Sequence, residues 1–233
     1  MALITGLIAY WKMDEAAWNI IDSVWGHDGT IGTWVWYGAG KINNGTTYPW
    51  WVNWNNFQVA NDVPFFLSDF SVSYREKSTA TKGYRIYYWW DNAGEMFMIW
   101  NDFSWVSNKL NVLMLDKWNT EYTSAMDIND WAWHHVVVTV DSTWAWAIKC
   151  YIDGLIANWF NQVIAWQMSW ANRLYLWYRR KTVPGYETFN GTMDELGRWN
   201  RVLTATEASQ LYNSWAWLPY PLVVTWNSWW FFF

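Results

Sequence analysis

Carboxylates are prominent among the residues of this chain that could bind an ion or take part in a reaction. The chain has two adjacent acidic pairs, Asp14-Glu15 and Asp194-Glu195. Ca²⁺ takes six to eight hard oxygen ligands from carboxylates and backbone carbonyls. The same side chains also cap backbone amides in turns. Two interpretations therefore stand: a structural calcium site that includes Asp14, Glu15 and Asp194, or turn capping by Asp14 and Asp194.

The histidines and the cysteine predict packing rather than chemistry. His134 and His135 are neighbours at the start of a β-branched run, and successive residues of a strand point to opposite faces. They cannot readily share a metal, so we expect a core-packed histidine beside an exposed one. Cys150, the single cysteine, rules out an intrachain disulfide and a cysteine-cluster zinc site. Its place within a strand-like segment predicts a buried thiol.

Aromatic and basic residues in loop-like sequence are candidates for sugar contacts. A tyrosine ring presents an apolar body and a polar tip, and Tyr84 and Tyr186 lie in segments with loop-like composition. Arg179 and Arg180 belong to a small basic cluster that could contact an anionic glycan. A solvated edge is the other interpretation of these arginines.

Composition excludes several classes of protein. The 233 residues carry a formal net charge of −5, whereas a general nucleic-acid binder would be expected to have a basic face. Aromatic residues make up 22% of the chain, which argues against intrinsic disorder. No apolar run is long enough for a membrane-spanning helix, and Met1–Tyr10 lacks the basic segment of a secretory signal. We therefore expect neither nucleic-acid binding nor membrane insertion.

The elements that must position these residues are mostly strands. Segments with period-two alternation recur at short spacing, which is typical of an antiparallel sandwich or jelly roll. The predicted strands are Leu7–Met13, Phe70–Arg75, Arg85–Tyr88, Met96–Trp100, Lys109–Leu115, His134–Val140, Ala147–Ile152, Leu155–Asn158, Leu174–Tyr178 and Gly191–Trp199. One helix is expected after Thr204, because Thr204 and Glu207 form a capping-box pattern.

Tryptophan is the abnormal feature of the composition. The chain has 27 Trp and only 13 Gly, whereas turn-rich β proteins need Gly where φ is positive. Many of the Trp stand where the sequence calls for a turn, for example Trp50-Trp51 after Pro49 and Trp215 in Asn213–Trp217. A bulky residue in such a conformation costs about 1–3 kcal/mol.

Five motifs, in order along the chain, resemble the laminin-G-like jelly rolls of the concanavalin A-like lectin/glucanase superfamily. They are Gly6–Glu15, Gly26–Thr30, Trp133–Asp141, Lys149–Gly154 and Gly191–Leu203 with the helix that follows it. The resemblance implies an all-β, two-sheet antiparallel jelly roll with one short C-terminal helix. It places that domain at 1–221 and leaves 222–233 as a tail or linker.

Compared with these relatives, the chain often has Trp where they have Gly. We hypothesise that UGA codons for Gly have been translated as Trp; the alternative is a real Trp-rich surface for sugars or membranes. The positions so assigned are Trp18, Trp25, Trp34, Trp50, Trp51, Trp54, Trp89, Trp90, Trp105, Trp118, Trp131, Trp144, Trp146, Trp159, Trp166, Trp170, Trp177, Trp215, Trp217, Trp226, Trp229 and Trp230. Trp11, Trp133 and Trp199 match aromatic positions of the family, and Trp36 and Trp100 suit strands.

The resemblance also implies a function. It favours a non-catalytic recognition module for carbohydrate or a cell-surface glycoconjugate, acting in adhesion outside a cell, at its surface or on a phage particle. The alternative is a structural domain that contacts other subunits of a virion or surface layer. A glycoside hydrolase is disfavoured, because the Glu-x-Asp-x-x-Glu strand of the superfamily's glucanases is absent. Relatives place the first and last strands side by side, which implies a structural Ca²⁺ held by Asp14 and Asp194 near the Gly26–Thr30 turn, with Glu15 and Asp28 as further candidates.

Overall fold

The computed structural model describes residues 2–16, 19–32, 35–48, 57–60, 69–79, 83–89, 96–101, 109–116, 118–141, 147–159, 173–176, 189–213 and 218–222. Within these ranges the chain forms two antiparallel sheets and one short helix. The all-β jelly-roll prediction is confirmed.

The first sheet contains eight strands. In spatial order they are β14 (Leu155–Trp159), β13 (Ala147–Ile152), β12 (Trp133–Asp141), β7 (Phe70–Ser78), β16 (Gly191–Trp199), β5 (Asn44–Tyr48) and β4 (Trp36–Ala39), with β1 (Leu7–Trp11) also paired to β16. The predicted neighbours β1 and β16 do pair, with Trp11 opposite Leu196.

The second sheet also contains eight strands. In order they are β11 (Trp118–Asp127), β10 (Lys109–Asp116), β9 (Met96–Asn101), β8 (Gly83–Trp89), β15 (Arg173–Leu176), β6 (Phe57–Ala60), β3 (Gly29–Ile31) and β2 (Asn19–Ile20). Their inward residues, such as Phe57, Ile86 and Ile99, meet Val72 and Val138 of the first sheet in the main core.

A buried ion pair joins the two sheets. Arg85 of β8 donates to both carboxylate oxygens of Glu76 of β7, at 2.9–3.1 Å. Its Nη2 also donates to the side-chain oxygen of Asn129 at 3.0 Å. Both charged side chains are fully buried. The guanidinium also lies over the ring of Phe189, 5.1 Å from the centroid. Mutual pairing and these contacts are what make two charges tolerable in a core.

The outer face of the first sheet carries a second cluster over part of its area. Tyr10, Val137 and Trp199 of that face pack under residues of the N-terminal segment, the helix and the C-terminal segment, namely Leu3, Leu7, Leu203, Ala208, Leu211, Leu218 and Leu222. Leu222, at the start of the expected tail, is thus buried, and 223–233 lie outside the described residues. The rest of this face is not covered by that cluster.

The helix α1 spans Ala205–Tyr212 and has the predicted capping box. Thr204 accepts from the amide of Glu207 at 3.2 Å, and Glu207 accepts from the amide of Thr204 at 2.9 Å. Asn213 ends the helix in the left-handed conformation. The helix packs on the sheet through Ala208 and Leu211, which belong to the second cluster. None of the described helical residues forms a helix long and apolar enough to cross a membrane.

Candidate functional site

Asp22 organises the turn that follows β2. Its Oδ1 accepts the amides of Tyr10 and Val24, and its Oδ2 accepts those of Trp25 and His27, all at 2.8–3.1 Å. Burial alone would raise the pKa of Asp22, but these hydrogen bonds outweigh it and the pKa is lowered. Sequence reasoning missed this residue. Its one signal was an aspartate opening a Ser- and Gly-containing turn.

Two of the predicted calcium ligands support the same region. Asp28 accepts the amide of Asp22 at 2.9 Å, and Glu15 accepts the amide of Ile21 at 3.0 Å through Oε1. The other oxygen of Glu15 is buried without a hydrogen-bond partner. Both residues therefore cap backbone amides.

Asp14 and Asp194 both hold the turn between β4 and β5. Asp14 accepts the amide of Asn44 at 3.1 Å, and Asp194 accepts those of Lys41 and Ile42 at 2.8 Å. The structure thus brings the two predicted ligands to one turn. That turn is residues 40–43, whereas the sequence placed them near Gly26–Thr30.

Asp194 lies in an unusual backbone and electrostatic setting. β16 has an irregularity between Asp194 and Gly197, and Glu195 within it has φ of 54°. Burial raises the pKa of Asp194 to about 8. Burial also raises the pKa of Glu195, although the Tyr10 hydroxyl, which bonds its carboxylate, and Arg75 oppose the change. Two adjacent carboxyls with raised pKa values favour the gain of a proton or a cation.

The donor set can be compared with what Ca²⁺ requires. The Oδ1 of Asp194 is buried and has no hydrogen-bond partner, as a cation ligand would be before binding. The other oxygens of Asp14, Asp28 and Asp194 are used on amides, although a carboxylate has about four acceptor positions. Among the described residues, no three Asp, Glu, His or Cys side chains are grouped so as to hold a metal. Calcium therefore stays a prediction at this site, and its test is a stability measurement.

The histidines and the cysteine have structural surroundings. His135 is buried, lies 2.8 Å from Ser73 Oγ and stacks on Tyr212. Burial lowers its pKa and Arg75 adds to the effect. This serine–histidine contact is enclosed beneath the helix, so no substrate could reach it. Burial likewise raises the pKa of the Cys150 thiol to about 12, which confirms a buried and unreactive cysteine.

His134, the other member of the pair, bridges two carboxylates. Its Nδ1 lies 2.8 Å from Asp153 and its Nε2 lies 3.1 Å from Asp130. We expected an exposed histidine beside the core-packed one. The ring of His134 is instead half-buried between the turns that carry Asp130 and Asp153. The reason is its contact with Asp130, which lies just before β12, and with Asp153, which follows β13.

The predicted sugar contacts have a mixed outcome. Tyr84 lies within strand β8 and not in a loop, because the strand starts two residues before the predicted boundary. Tyr186, Arg179 and Arg180 lie outside the described residues. As contacts for a sugar, all four remain predictions.

Several of the abundant tryptophans lie at the surface. Trp25, Trp36 and Trp131 are exposed to 72%, 45% and 49%. Trp131 has φ of 65°, a region that favours Gly, in agreement with its assignment to a Gly position. Trp36 lies in β4, where its extended backbone suits a Trp.

Paired antiparallel sheets with this strand order define a jelly roll of the lectin and glucanase type. The family model Laminin_G_3, described as concanavalin A-like lectin/glucanases superfamily, matches residues 28–209. The chain therefore belongs to this family. The search of curated proteins finds no match.

Solved structures with the same fold are receptor- and sugar-binding domains by their descriptions. Domain 4 of AbnA, a GH43 extracellular arabinanase from Geobacillus stearothermophilus, was solved with arabinotriose and aligns over 88% of this chain and 98% of its own, with TM-score 0.68 and 20% identity. The binding domain of Paraclostridial Mosquitocidal Protein 1 aligns over 91% of this chain and 53% of its own, with TM-score 0.71 and 16% identity.

A third such structure is from botulinum neurotoxin type C, whose cell entry is described as dependent on two ganglioside molecules. It aligns over 92% of this chain and 52% of its own, with TM-score 0.71 and 13% identity. The chain thus spans about half the length of these toxin domains. At such identities the likeness shows the fold.

Proposed function

We propose that the chain is a non-catalytic carbohydrate-recognition module acting on a glycoconjugate outside a cell, at its surface or on a phage particle. The observation that carries the proposal is the exposure of Trp36, which is not among the positions assigned to Gly, on a fold whose relatives are described with sugars. An exposed aromatic with polar neighbours suits ligand binding.

The arrangement of acidic residues supports recognition rather than hydrolysis. Glycosidases of this kind need two carboxyl groups on either side of the scissile bond. Here Asp14, Asp22, Asp28 and Asp194 are bonded to backbone amides of turns. Carboxylates used in this way fix loops.

A printed array of neutral and sialylated oligosaccharides tests the proposal. We expect saturable binding of the purified chain to one group of glycans, with no release of reducing sugar from the same glycans in solution. Bare linker spots serve as the control. Absence of binding to every glycan, or hydrolysis of the bound one, would contradict the proposal.

The alternative, a structural domain that contacts other subunits, has one observation in its favour. Leu155 and Ile156 of the edge strand β14 are exposed to 64% and 53%, and an apolar edge strand is suited to protein contacts. Light scattering distinguishes the two functions. A monomer that binds glycans supports recognition, and an oligomer that binds none supports assembly.

A further inference from the structure

A single row of side chains crosses the outer face of the first sheet, in register across five strands. Trp36 lies opposite Thr47, Thr47 opposite Thr192, Thr192 opposite Lys77, and Lys77 opposite Trp133. These five residues, here called the outer row, belong to the adjacent strands β4, β5, β16, β7 and β12. Strands lie about 4.8 Å apart, so the row is about 19 Å long.

The outer row faces away from the main core. Residues that alternate with it, such as Tyr48, Met193 and Tyr74, belong to the core between the sheets, and alternate residues of a strand point to opposite faces. No residue of the helix or of the terminal segments is paired in register with a member of the outer row. Trp36 is exposed, whereas Thr47, Lys77 and Trp133 are half-buried and Thr192 is buried.

The outer row has aromatic ends and a polar middle. Thr47 and Thr192 lie with their hydroxyl oxygens 3.1 Å apart, so one hydroxyl donates to the other and the second keeps its hydrogen for a further partner. The ammonium of Lys77 lies 5.0 Å from the ring centre of Trp131 and supplies three donors. Apolar ring faces with a few fixed hydrogen-bonding groups are the usual composition of a small-molecule site.

We propose that the outer row is the binding surface for a linear oligosaccharide laid across the five strands. The inference rests on the proposed function and gives it a location and a ligand shape. Trp36 and Trp133 present ring faces to the sugar carbons at either end. The threonine hydroxyls and Lys77 bond sugar hydroxyls between them. A straight row of this length fits several sugar units in line and exceeds a single sugar.

The site does not depend on the tryptophans assigned to Gly positions. Trp36 suits its strand and Trp133 matches an aromatic position of the family, whereas Trp131, which touches Lys77, is one of those assigned to Gly. A chain with Gly at residue 131 would keep all five members of the outer row.

The experiment compares variants on the same printed array, with linear neutral and sialylated oligosaccharides of three to six units as probes. Trp36→Ala should weaken binding about tenfold, as the loss of an aromatic anchor does in other interfaces. Thr192→Val keeps the side-chain shape and removes one hydroxyl, and it should weaken binding about fivefold. Trp25→Ala is the matched control, an exposed tryptophan outside the row, and should bind like the parent chain.

The outcomes separate the two proposals. If the parent chain binds glycans and Trp36→Ala and Thr192→Val bind equally well, the outer row is wrong and the recognition function stands. If Trp25→Ala loses binding as strongly as Trp36→Ala, the location is also wrong. If the parent chain binds no glycan, the recognition function itself fails and the outer row with it. Circular dichroism checks folding, and Thr192→Val still decides the matter if Trp36→Ala unfolds.

Discussion

The ion pair between Glu76 and Arg85 gives a direct test of how the sheets are joined. Arg85→Met would leave the Glu76 carboxylate buried among apolar groups and remove three hydrogen bonds to it. Breaking a buried pair in this way costs about 3–5 kcal/mol. For a domain of this size, where about 1 kcal/mol shifts Tm by about 2–4 °C, we expect Tm to fall by about 6–20 °C.

The assay is thermal unfolding followed by circular dichroism, with the double variant Glu76→Leu, Arg85→Met as the comparison. Replacing both charges with apolar side chains of similar volume is often neutral or stabilising. The double variant should therefore recover most of the lost Tm, although the hydrogen bond from Arg85 to Asn129 is lost as well. A loss below about 1 kcal/mol for Arg85→Met, or a double variant no more stable than the single one, would show that the charges are not buried as a mutually dependent pair.

Three further predictions concern a titrating side chain, a metal and the gene. Burial would lower the pKa of His134, but bonds to Asp153 and Asp130 outweigh it and the pKa is raised. Protonated His134 therefore stabilises the fold below about pH 6.5, and this stabilisation is lost as pH rises through the pKa of His134 in the folded state. Over that range the Tm of the parent chain should fall relative to the Tm of His134→Gln. Parallel Tm profiles would contradict this prediction. Millimolar Ca²⁺ should raise Tm by several degrees, because a cation bound only by the folded state stabilises that state. Asp194→Ala should abolish the effect. A Tm unaffected by Ca²⁺ would rule the site out. Sequencing the gene should find UGA at Trp131 and UGG at Trp133, and UGG at every assigned position would refute the recoding hypothesis.

The long strands and the helix could be predicted because their signals are local. The alternation in Phe70–Arg75 and the β-branched run His134–Val140 lie within β7 and β12, and the capping box of Thr204 marks the start of the helix. The short strands β2–β6 have two to five residues each, too few for a period-two pattern to stand out. Their existence depends on partners far away in the chain.

The candidate sites were less predictable for the same reason. Nothing near Asp194 in sequence indicates that its carboxylate is buried against the turn of Lys41 and Ile42. The outer row likewise joins residues from five strands, and its register is set by long-range pairing. Among these site features, only the left-handed backbone of Trp131 agrees with an argument from local sequence, namely that this position belongs to Gly.

The pairing of β1 with β16 has a consequence for how the chain is made. Leu7 lies opposite Trp199, so β1 meets its partner only after nearly two hundred further residues have been added. At about 5–20 residues per second this wait lasts about 10–40 s. During that time β1, with its apolar Leu7, Ala9 and Trp11, has an unpaired edge exposed to other nascent chains. Folding of this protein in the cell is then a competition between completing synthesis and aggregation, in which a faster ribosome or a chaperone that holds the N-terminal strand raises the yield.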